Sequence, residues 1–196
     1  MGGSFDPIHL GHLAAAEWAR DQLALDGVLF VPAGAPPHKA SDMTPGETRF
    51  EMVLVATAAH PQFWVSRREL ESPGVDYTVD TLEGLVTELS PDARLFFIAG
   101  ADAVLDILTW RHPARILELC TLVAVMRPGY DAEALGPVLT QVARGEQAVI
   151  LPSANLEISS SMVRERLAIG SSVRYLIPDG VAALIEKQGL YRGVRD

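Results

Sequence analysis

Gly27-Val28-Leu29-Phe30-Val31-Pro32-Ala33 is a short apolar run with no polar residue at every second position. That pattern fits a strand covered on both faces rather than one half-open to water. Working outward, an Ala-rich helix is expected before it, from His9 or Leu10 to Leu25. A second follows from Thr44 to Ala59, opened by Thr44-Pro45-Gly46-Glu47, a capping-box pattern with proline at the first helical position. Further short apolar runs read as strands: Phe63 to Ser66, Arg94 to Ala99, Thr121 to Met126 and Ala148 to Leu151. Helices are expected between them, over Thr78–Leu89, Ala114–Leu119 and Asp131–Ala143. Ser160–Ala168 and Asp179–Lys187 read as closing helices. The alternation implies an α/β fold: a doubly wound parallel sheet with flanking helices and right-handed crossovers. No repeat or linker interrupts it, so residues 1–196 are expected to form a single domain. In such sheets ligands bind at the carboxyl ends of the strands, which directs attention to the strand-to-helix loops.

Composition sets outer limits. With 196 residues, 48% of them apolar, the chain can bury a core without disulfides or structural metal. Its one cysteine, Cys120, can make no intramolecular bridge and reads as a small core residue among aliphatics. The net charge of −9 argues against a general nucleic-acid binder, which needs a basic face, and against an anionic membrane surface. An anionic small substrate remains open, because a local group of donors can oppose the overall field. No run approaches the roughly 18 apolar residues of a membrane span, and no signal peptide is visible. A cytoplasmic protein with no nucleic-acid or membrane partner is expected, and homo-oligomerisation is compatible with the sequence.

The chain opens Met1-Gly2-Gly3-Ser4-Phe5-Asp6-Pro7-Ile8-His9-Leu10-Gly11-His12. Two adjacent glycines leave backbone N–H groups unshielded, so a bulky anion can approach. The helix that starts just afterwards offers further N–H groups and a positive dipole end. His9 and His12, three apart, project to one side if that turn is helical. Imidazoles beside phosphate-binding amides can donate to phosphoryl oxygens as charge develops. Zinc is the alternative use of such a pair, but no third ligand stands at metal spacing, so no residue is assigned to a metal.

A second donor-rich turn lies near the other end, at Ile158-Ser159-Ser160-Ser161-Met162-Val163-Arg164-Glu165-Arg166. Serines at a helix start cap it and expose N–H and O–H donors. Arg164 falls one turn into the helix and can reach back toward an anion at its N-terminus.

The first string closely resembles the (G)G-[ST]-F-D-P-x-H-x-G-H signature of the nucleotidyltransferase superfamily. The second resembles its I-S-S-T-x-[IV]-R motif, with Ser161 for Thr. Segments between them resemble one family in particular, the nicotinate-nucleotide adenylyltransferases. These are Pro36-Pro37-His38-Lys39, Asp76-Tyr77-Thr78-Val79-Asp80-Thr81-Leu82, Phe97-Ile98-Ala99-Gly100-Ala101-Asp102, Trp110, Arg127-Pro128-Gly129, Tyr175-Leu176-Ile177-Pro178 and Gln188-Gly189-Leu190-Tyr191. The resemblance implies a Rossmann-like sheet and transfer of the adenylyl group of ATP to nicotinate mononucleotide, with pyrophosphate released. It also implies an apolar first strand ahead of the glycines, and here nothing precedes Met1.

The roles it implies are as follows. Gly2, Gly3, Ser4 and Phe5 line a phosphate cradle, and Ser4 also faces the second substrate. His9 and His12 contact ATP phosphates, with His12 stabilising the transferred phosphoryl. Gly100 and Asp102 sit by the ATP ribose. Ile158, Ser160, Ser161 and Arg164 hold the β- and γ-phosphates, and His9, His12 and Arg164 form the catalytic set. Trp110 stacks on the pyridine ring. Thr78 and Arg111 present backbone N–H groups to the nicotinate carboxylate, and Lys39 faces the mononucleotide phosphate. Arg111 stands where the family often has Tyr. Mg²⁺ is expected to ride mainly on the triphosphate. The rivals are phosphopantetheine adenylyltransferase, which lacks the Pro-Pro-His-Lys and Tyr-Thr-x-x-Thr segments, and an ATP-binding sensor without turnover. A dinucleotide-dependent oxidoreductase would need G-x-G-x-x-G, which Gly2-Gly3-Ser4 does not supply.

Overall fold

The structure, a computed structural model, describes residues 1–34, 43–72, 74–75, 77–126, 132–142, 147–152 and 156–193. Pro36-Pro37-His38-Lys39, Asp76, Arg127-Pro128-Gly129 and the expected helix ends Asp131 and Ala143 lie outside them. The strands are β1 (Gly2–Gly3), β2 (Val28–Pro32), β3 (Phe63–Val65), β4 (Phe96–Gly100), β5 (Thr121–Val125) and β6 (Ala148–Leu151). The helices are α1 (Leu10–Gln22), α2 (Gly46–Thr57), α3 (Arg68–Glu71), α4 (Thr78–Glu88), α5 (Ala101–Leu105), α6 (Pro113–Leu119), α7 (Ala132–Val142), α8 (Ser160–Ala168) and α9 (Asp179–Gln188). A 3₁₀ turn covers Ile107–Thr109.

All strand pairs are parallel, in two three-stranded sheets ordered β1-β2-β3 and β4-β5-β6. The sheets meet where β1 lies against β4, and a Cβ placed at Gly2 would stand 3.5 Å from the Phe97 ring. Across both sheets the order is 3-2-1-4-5-6, the doubly wound arrangement whose direction reverses between its first and fourth strands. A ligand crevice is therefore due at the carboxyl ends of β1 and β4, at Gly3-Ser4 and Gly100.

The reason these strands lack alternation is visible in β4 and β5. Ile98, Val123 and Val125 face a core shared with Phe5, Ile8, Phe30, Met52 and Val181. Their neighbours Ala99, Leu122 and Ala124 face a second core with Val104, Ile107 and Leu135. Each face carries its own helices, so successive side chains are apolar whichever way they point. Full burial of one such side chain, Phe30 or Leu122, contributes about 1.5–3 kcal/mol.

One expectation is corrected. The capping box at Thr44 does not form. Pro45 takes the N-cap position of α2 without a side-chain cap. Thr44 is used elsewhere, its N–H donating to Asp6 at 3.4 Å and its carbonyl accepting from Arg49 at 2.8 Å. The glycines themselves form the two-residue strand β1. Gly2 stands opposite Val31 and Gly3 opposite Pro32. The Met1 ammonium donates to the Leu29 carbonyl at 2.8 Å, and Ala33 N–H donates to the Gly3 carbonyl at 2.9 Å. Beyond Met1, β2 and β4 continue on either side of a cleft lined by Leu25, Leu29, Leu89 and Phe96.

Candidate active site

The first loop is built by a tight turn after β1. Phe5 has φ 49°, a left-handed conformation that costs an L-residue roughly 1–2 kcal/mol. Its ring offsets that by burial. It is 2% exposed, 5.9 Å from the Phe30 ring and edge-on to His12 at 5.1 Å between centroids. Only the Phe5 main chain can therefore serve a phosphate cradle.

α1 begins at Leu10, with His9 at the N-cap. The His9 and His12 rings stack at 3.6 Å, but they are not equivalent. His9 is 1% exposed and lies behind its partner, whereas His12 lines the cleft. The His9 backbone N–H donates to His12 Nδ1 at 3.2 Å. An Nδ1 that accepts this bond puts the proton of a neutral ring on Nε2, so Nε2–H is the donor His12 can offer an anion. Gly11 is demanded by this stack, because a Cβ there would come to 3.0 Å from His9 Nδ1 and 3.5 Å from the Ile158 carbonyl.

That second distance shows where the other motif lies. α8 is capped by Ser159, whose Oγ accepts from Met162 N–H at 3.1 Å. From the start of the helix Ser160 Oγ donates to the Pro7 carbonyl at 2.9 Å. Arg164 Nη1 donates to the Asp6 carbonyl at 2.6 Å, and Nη2 lies 3.5 Å from Ser161 Oγ. Two turns thus clasp one another through bonds that span 153 and 158 residues of chain. The two motifs are therefore neighbours, but Gly2, Gly3, Ser4 and His12 line the cleft, whereas Ile158, Ser160, Ser161 and Arg164 are not among its lining residues.

A third element supports the loop from beneath. Arg49 of α2 is fully buried and donates to the carbonyls of Ser4 (2.7 Å), Ala33 (2.6 Å) and Thr44 (2.8 Å). Burial pulls its pKa down, with Asp6 opposing the shift. The sequence offers no sign of this role, since an arginine on an amphipathic helix reads as a solvated charge. Asp6 and Tyr191 are likewise site residues that sequence reasoning misses, although both stand in quoted motifs. Tyr191 Oη donates to Asp6 Oδ1 at 2.5 Å.

One continuous cavity of about 1640 Å³ takes in this loop, the sheet reversal and the slot between β2 and β4 beyond Met1. Gly2, Gly3, Ser4 and His12 line one wall, and Gly100 and Asp102 of the β4–α5 junction line the other. Thr78, Trp110 and Arg111 line the same cleft. Trp110 packs edge-on to Phe97 at 5.8 Å. Thr78 is the first residue of α4, where N–H groups point outward without intrahelical partners of their own. The Arg111 guanidinium lies over the Tyr77 ring at 4.7 Å and 3.3 Å from Asp80. The cleft also takes in Tyr77 and Glu69, which accepts from Thr81 at 2.7 Å; neither was expected. Lys39 lies outside the described residues.

Among the described residues no group of three His, Cys, Asp or Glu is placed to hold a metal ion, and no helix is long and apolar enough to cross a membrane. Cys120 is buried with its Sγ 3.3 Å from the Ile116 carbonyl, and burial pushes its thiol pKa up to about 12. It is a core residue without thiolate character.

The chain and its fold match known proteins. The cytidylyltransferase-like family model matches residues 1–166. The chain is 52% identical over 193 residues to the "Probable nicotinate-nucleotide adenylyltransferase" of Thermus thermophilus, covering 98% of this chain and 97% of the relative. It is 43% identical over 195 residues to the protein of the same name from Moorella thermoacetica, covering 98% and 90%. Among solved structures, the Plasmodium falciparum nicotinic acid mononucleotide adenylyltransferase complexed with NaAD superimposes with a TM-score of 0.80 at 21% identity, covering 97% of this chain and 94% of that one. The same enzyme complexed with APC gives 0.78 at 20% identity, with the same coverage. At that identity the superposition establishes the shared fold. The sequence relatives and the clasped glycine and arginine motifs agree, and the chain belongs to the nicotinate-nucleotide adenylyltransferase family within the cytidylyltransferase-like proteins.

Proposed function

We propose that this protein transfers the adenylyl group of ATP to nicotinate mononucleotide, forming nicotinate adenine dinucleotide and pyrophosphate. The observation that carries the reading is the clasp: Arg164 and Ser160 hydrogen-bonded to the Asp6 and Pro7 carbonyls, just ahead of the His9–His12 stack. It brings α8 against the first loop, and Tyr77 and Trp110 in the cleft that this loop lines suit a pyridine ring.

In this mechanism an ionised phosphate oxygen of the mononucleotide attacks the α-phosphorus of ATP in line, and the bond from that phosphorus to the β-phosphate bridging oxygen breaks. No general base is needed, because the nucleophile is already deprotonated. The protein contributes position and charge stabilisation. Gly2, Gly3 and Ser4 offer main-chain donors, and His12 Nε2–H meets the charge on the transferred phosphoryl group. Arg164, Ser160 and Ser161 hold the departing pyrophosphate. Gly100 and Asp102 face the ribose, Trp110 stacks on the pyridine, and the Thr78 and Arg111 N–H groups meet its carboxylate. Lys39 is assigned to the mononucleotide phosphate on sequence resemblance alone.

The donor set is made of N–H, imidazole and guanidinium groups, which complement phosphate oxygens rather than a cation. Mg²⁺ therefore fits as an ion carried on the triphosphate, where it supplies charge neutralisation. A cytoplasmic setting accords with the inert Cys120.

The test is pyrophosphate release from ATP and Mg²⁺ with nicotinate mononucleotide, nicotinamide mononucleotide or phosphopantetheine supplied separately. Release is expected with nicotinate mononucleotide. Release with phosphopantetheine alone, or with none of the three, would overturn the reading.

A further inference from the structure

The turn that ends the described chain reaches back to its beginning. α9 closes on Gly189, a left-handed C-cap with φ 65°, and Leu190 N–H returns to the Ile185 carbonyl at 3.0 Å. This turn is fixed by backbone bonds, and it presents Tyr191 to the first loop. The Tyr191 hydroxyl donates to Asp6 Oδ1 at 2.5 Å across a sequence separation of 185. Thr44 N–H donates to Asp6 Oδ2 at 3.4 Å. Burial first, and then the Asp6 carboxylate, push the Tyr191 phenol well above its ordinary pKa, so it stays a donor.

Asp6 is 7% exposed and is the junction of two sets of bonds. Its carboxylate is held by Tyr191 and Thr44, and its carbonyl receives Arg164 Nη1 at 2.6 Å. The next carbonyl, of Pro7, receives Ser160 Oγ at 2.9 Å. The orientation of the Asp6 peptide therefore sets where the guanidinium and the first serine of α8 can stand. A charge-assisted bond inside the protein is short and directional, which suits it to fixing a loop to a fraction of an ångström. Misplacement on the scale of an ångström at reacting groups is enough to cost large factors in rate.

We infer that Tyr191 is a positioning residue of the transfer site: by holding the Asp6 carboxylate it fixes the Asp6 and Pro7 carbonyls that Arg164 and Ser160 are bonded to, and so where these two donors meet the triphosphate. This rests on the function proposed above. It makes the C-terminal turn a working part of the ATP site, although it lies beyond residue 166, where the family match ends.

The experiment is Tyr191→Phe, which removes one oxygen and keeps the ring. Initial rates are measured by varying ATP at saturating mononucleotide, and then the reverse. The KM for ATP should rise about tenfold, the measure of one lost hydrogen bond to a charged group. The KM for the mononucleotide should stay within about twofold, because the Asp6 bonds run to Tyr191, Thr44 and Arg164 rather than to Thr78, Trp110 and Arg111, which are assigned to the mononucleotide. Asp6→Asn keeps the shape and removes the charge; combined with Tyr191→Phe it should be no worse than Asp6→Asn alone, since both act through one group. A merely structural tyrosine would lower Tm and leave both KM values where they were. That result, an equal rise in both KM values, or additive effects in the double variant would each overturn the inference. If Tyr191→Phe fails to fold by circular dichroism, Asp6→Asn carries the measurement with the same ATP-selective rise expected. If the unmodified protein releases no pyrophosphate, the proposed reaction falls by itself. The inference is then read calorimetrically from affinity for inorganic pyrophosphate, expected to fall about tenfold in Tyr191→Phe, and equal affinities overturn it.

Discussion

His12 and His9 show how one backbone bond divides two identical side chains between tasks. The His9 N–H on His12 Nδ1 leaves Nε2–H as the donor of the ring that lines the cleft, while His9 is packed behind it. His12→Ala should lower turnover by about a hundred- to a thousandfold, as for other principal transition-state donors, with little change in Tm. Rates from substrate-saturated assays decide it, and near-normal turnover would remove His12 from the mechanism. Arg49 predicts the opposite signature. Arg49→Met keeps most of the volume but strips partners from the Ser4, Ala33 and Thr44 carbonyls in a buried place. Such loss is expected to destabilise the protein by roughly 3 kcal/mol or more, read from urea unfolding. Arg111 bears on selectivity. Its guanidinium rests on Tyr77 and beside Asp80 at the pyridine end, so its side chain is separable from its N–H. Arg111→Ala should leave the KM for ATP unchanged and raise that for nicotinate mononucleotide only severalfold. A change confined to ATP would contradict the placement.

At the scale of elements, the periodicity and the short apolar runs locate the strands and long helices to within a few residues. What they could not locate depends on tertiary partners. α3 and α5 are four and five residues long, too short to carry a period. The Thr44-Pro45-Gly46-Glu47 pattern reads as a capping box, but Asp6 and Arg49 take Thr44's backbone groups and leave Pro45 at the cap. The Ser159 cap is legible because it is local, its acceptor and donor lying three residues apart. Site residues divide in the same way. His12, Ser160 and Arg164 belong to contiguous strings of unusual composition. Apart from the local bond of Arg49 to Thr44, Arg49, Asp6 and Tyr191 act through contacts 16 to 185 residues distant, beyond what a local pattern can show. The Ser159 cap also predicts a stability effect of its own. Ser159→Ala should cost about 1 kcal/mol by thermal or urea unfolding.

Over the whole molecule, the sheet is joined most weakly at its centre. β1 contributes two residues, and the cleft beyond Met1 separates β2 from β4. The Met1 ammonium sits buried at this point on the Leu29 carbonyl, and burial chiefly lowers its pKa from 8.0 to about 5, with Cys120 and Glu69 opposing. Between those values the unfolded chain binds a proton that the folded chain does not, so stability rises with pH across this window. The penalty is therefore absent above about pH 8 and complete below about pH 5, with an upper bound of a few kcal/mol. A chain without the ammonium is the needed comparison. A variant carrying five additional apolar, β-branched residues ahead of Met1 supplies it. The register Gly2 opposite Val31 brings the first two added residues opposite Leu29 and Val28, between the facing edges of β2 and β4. Their backbone groups would pair there, their side chains would meet Leu25, Leu89 and Phe96, and the ammonium would become an amide. The extended protein should melt several degrees higher at pH 6 than the unextended one, with a smaller difference at pH 8.5. Equal melting temperatures at both pH values would show that the centre of the sheet gains nothing from a longer first strand and that the buried terminus does not govern the pH dependence.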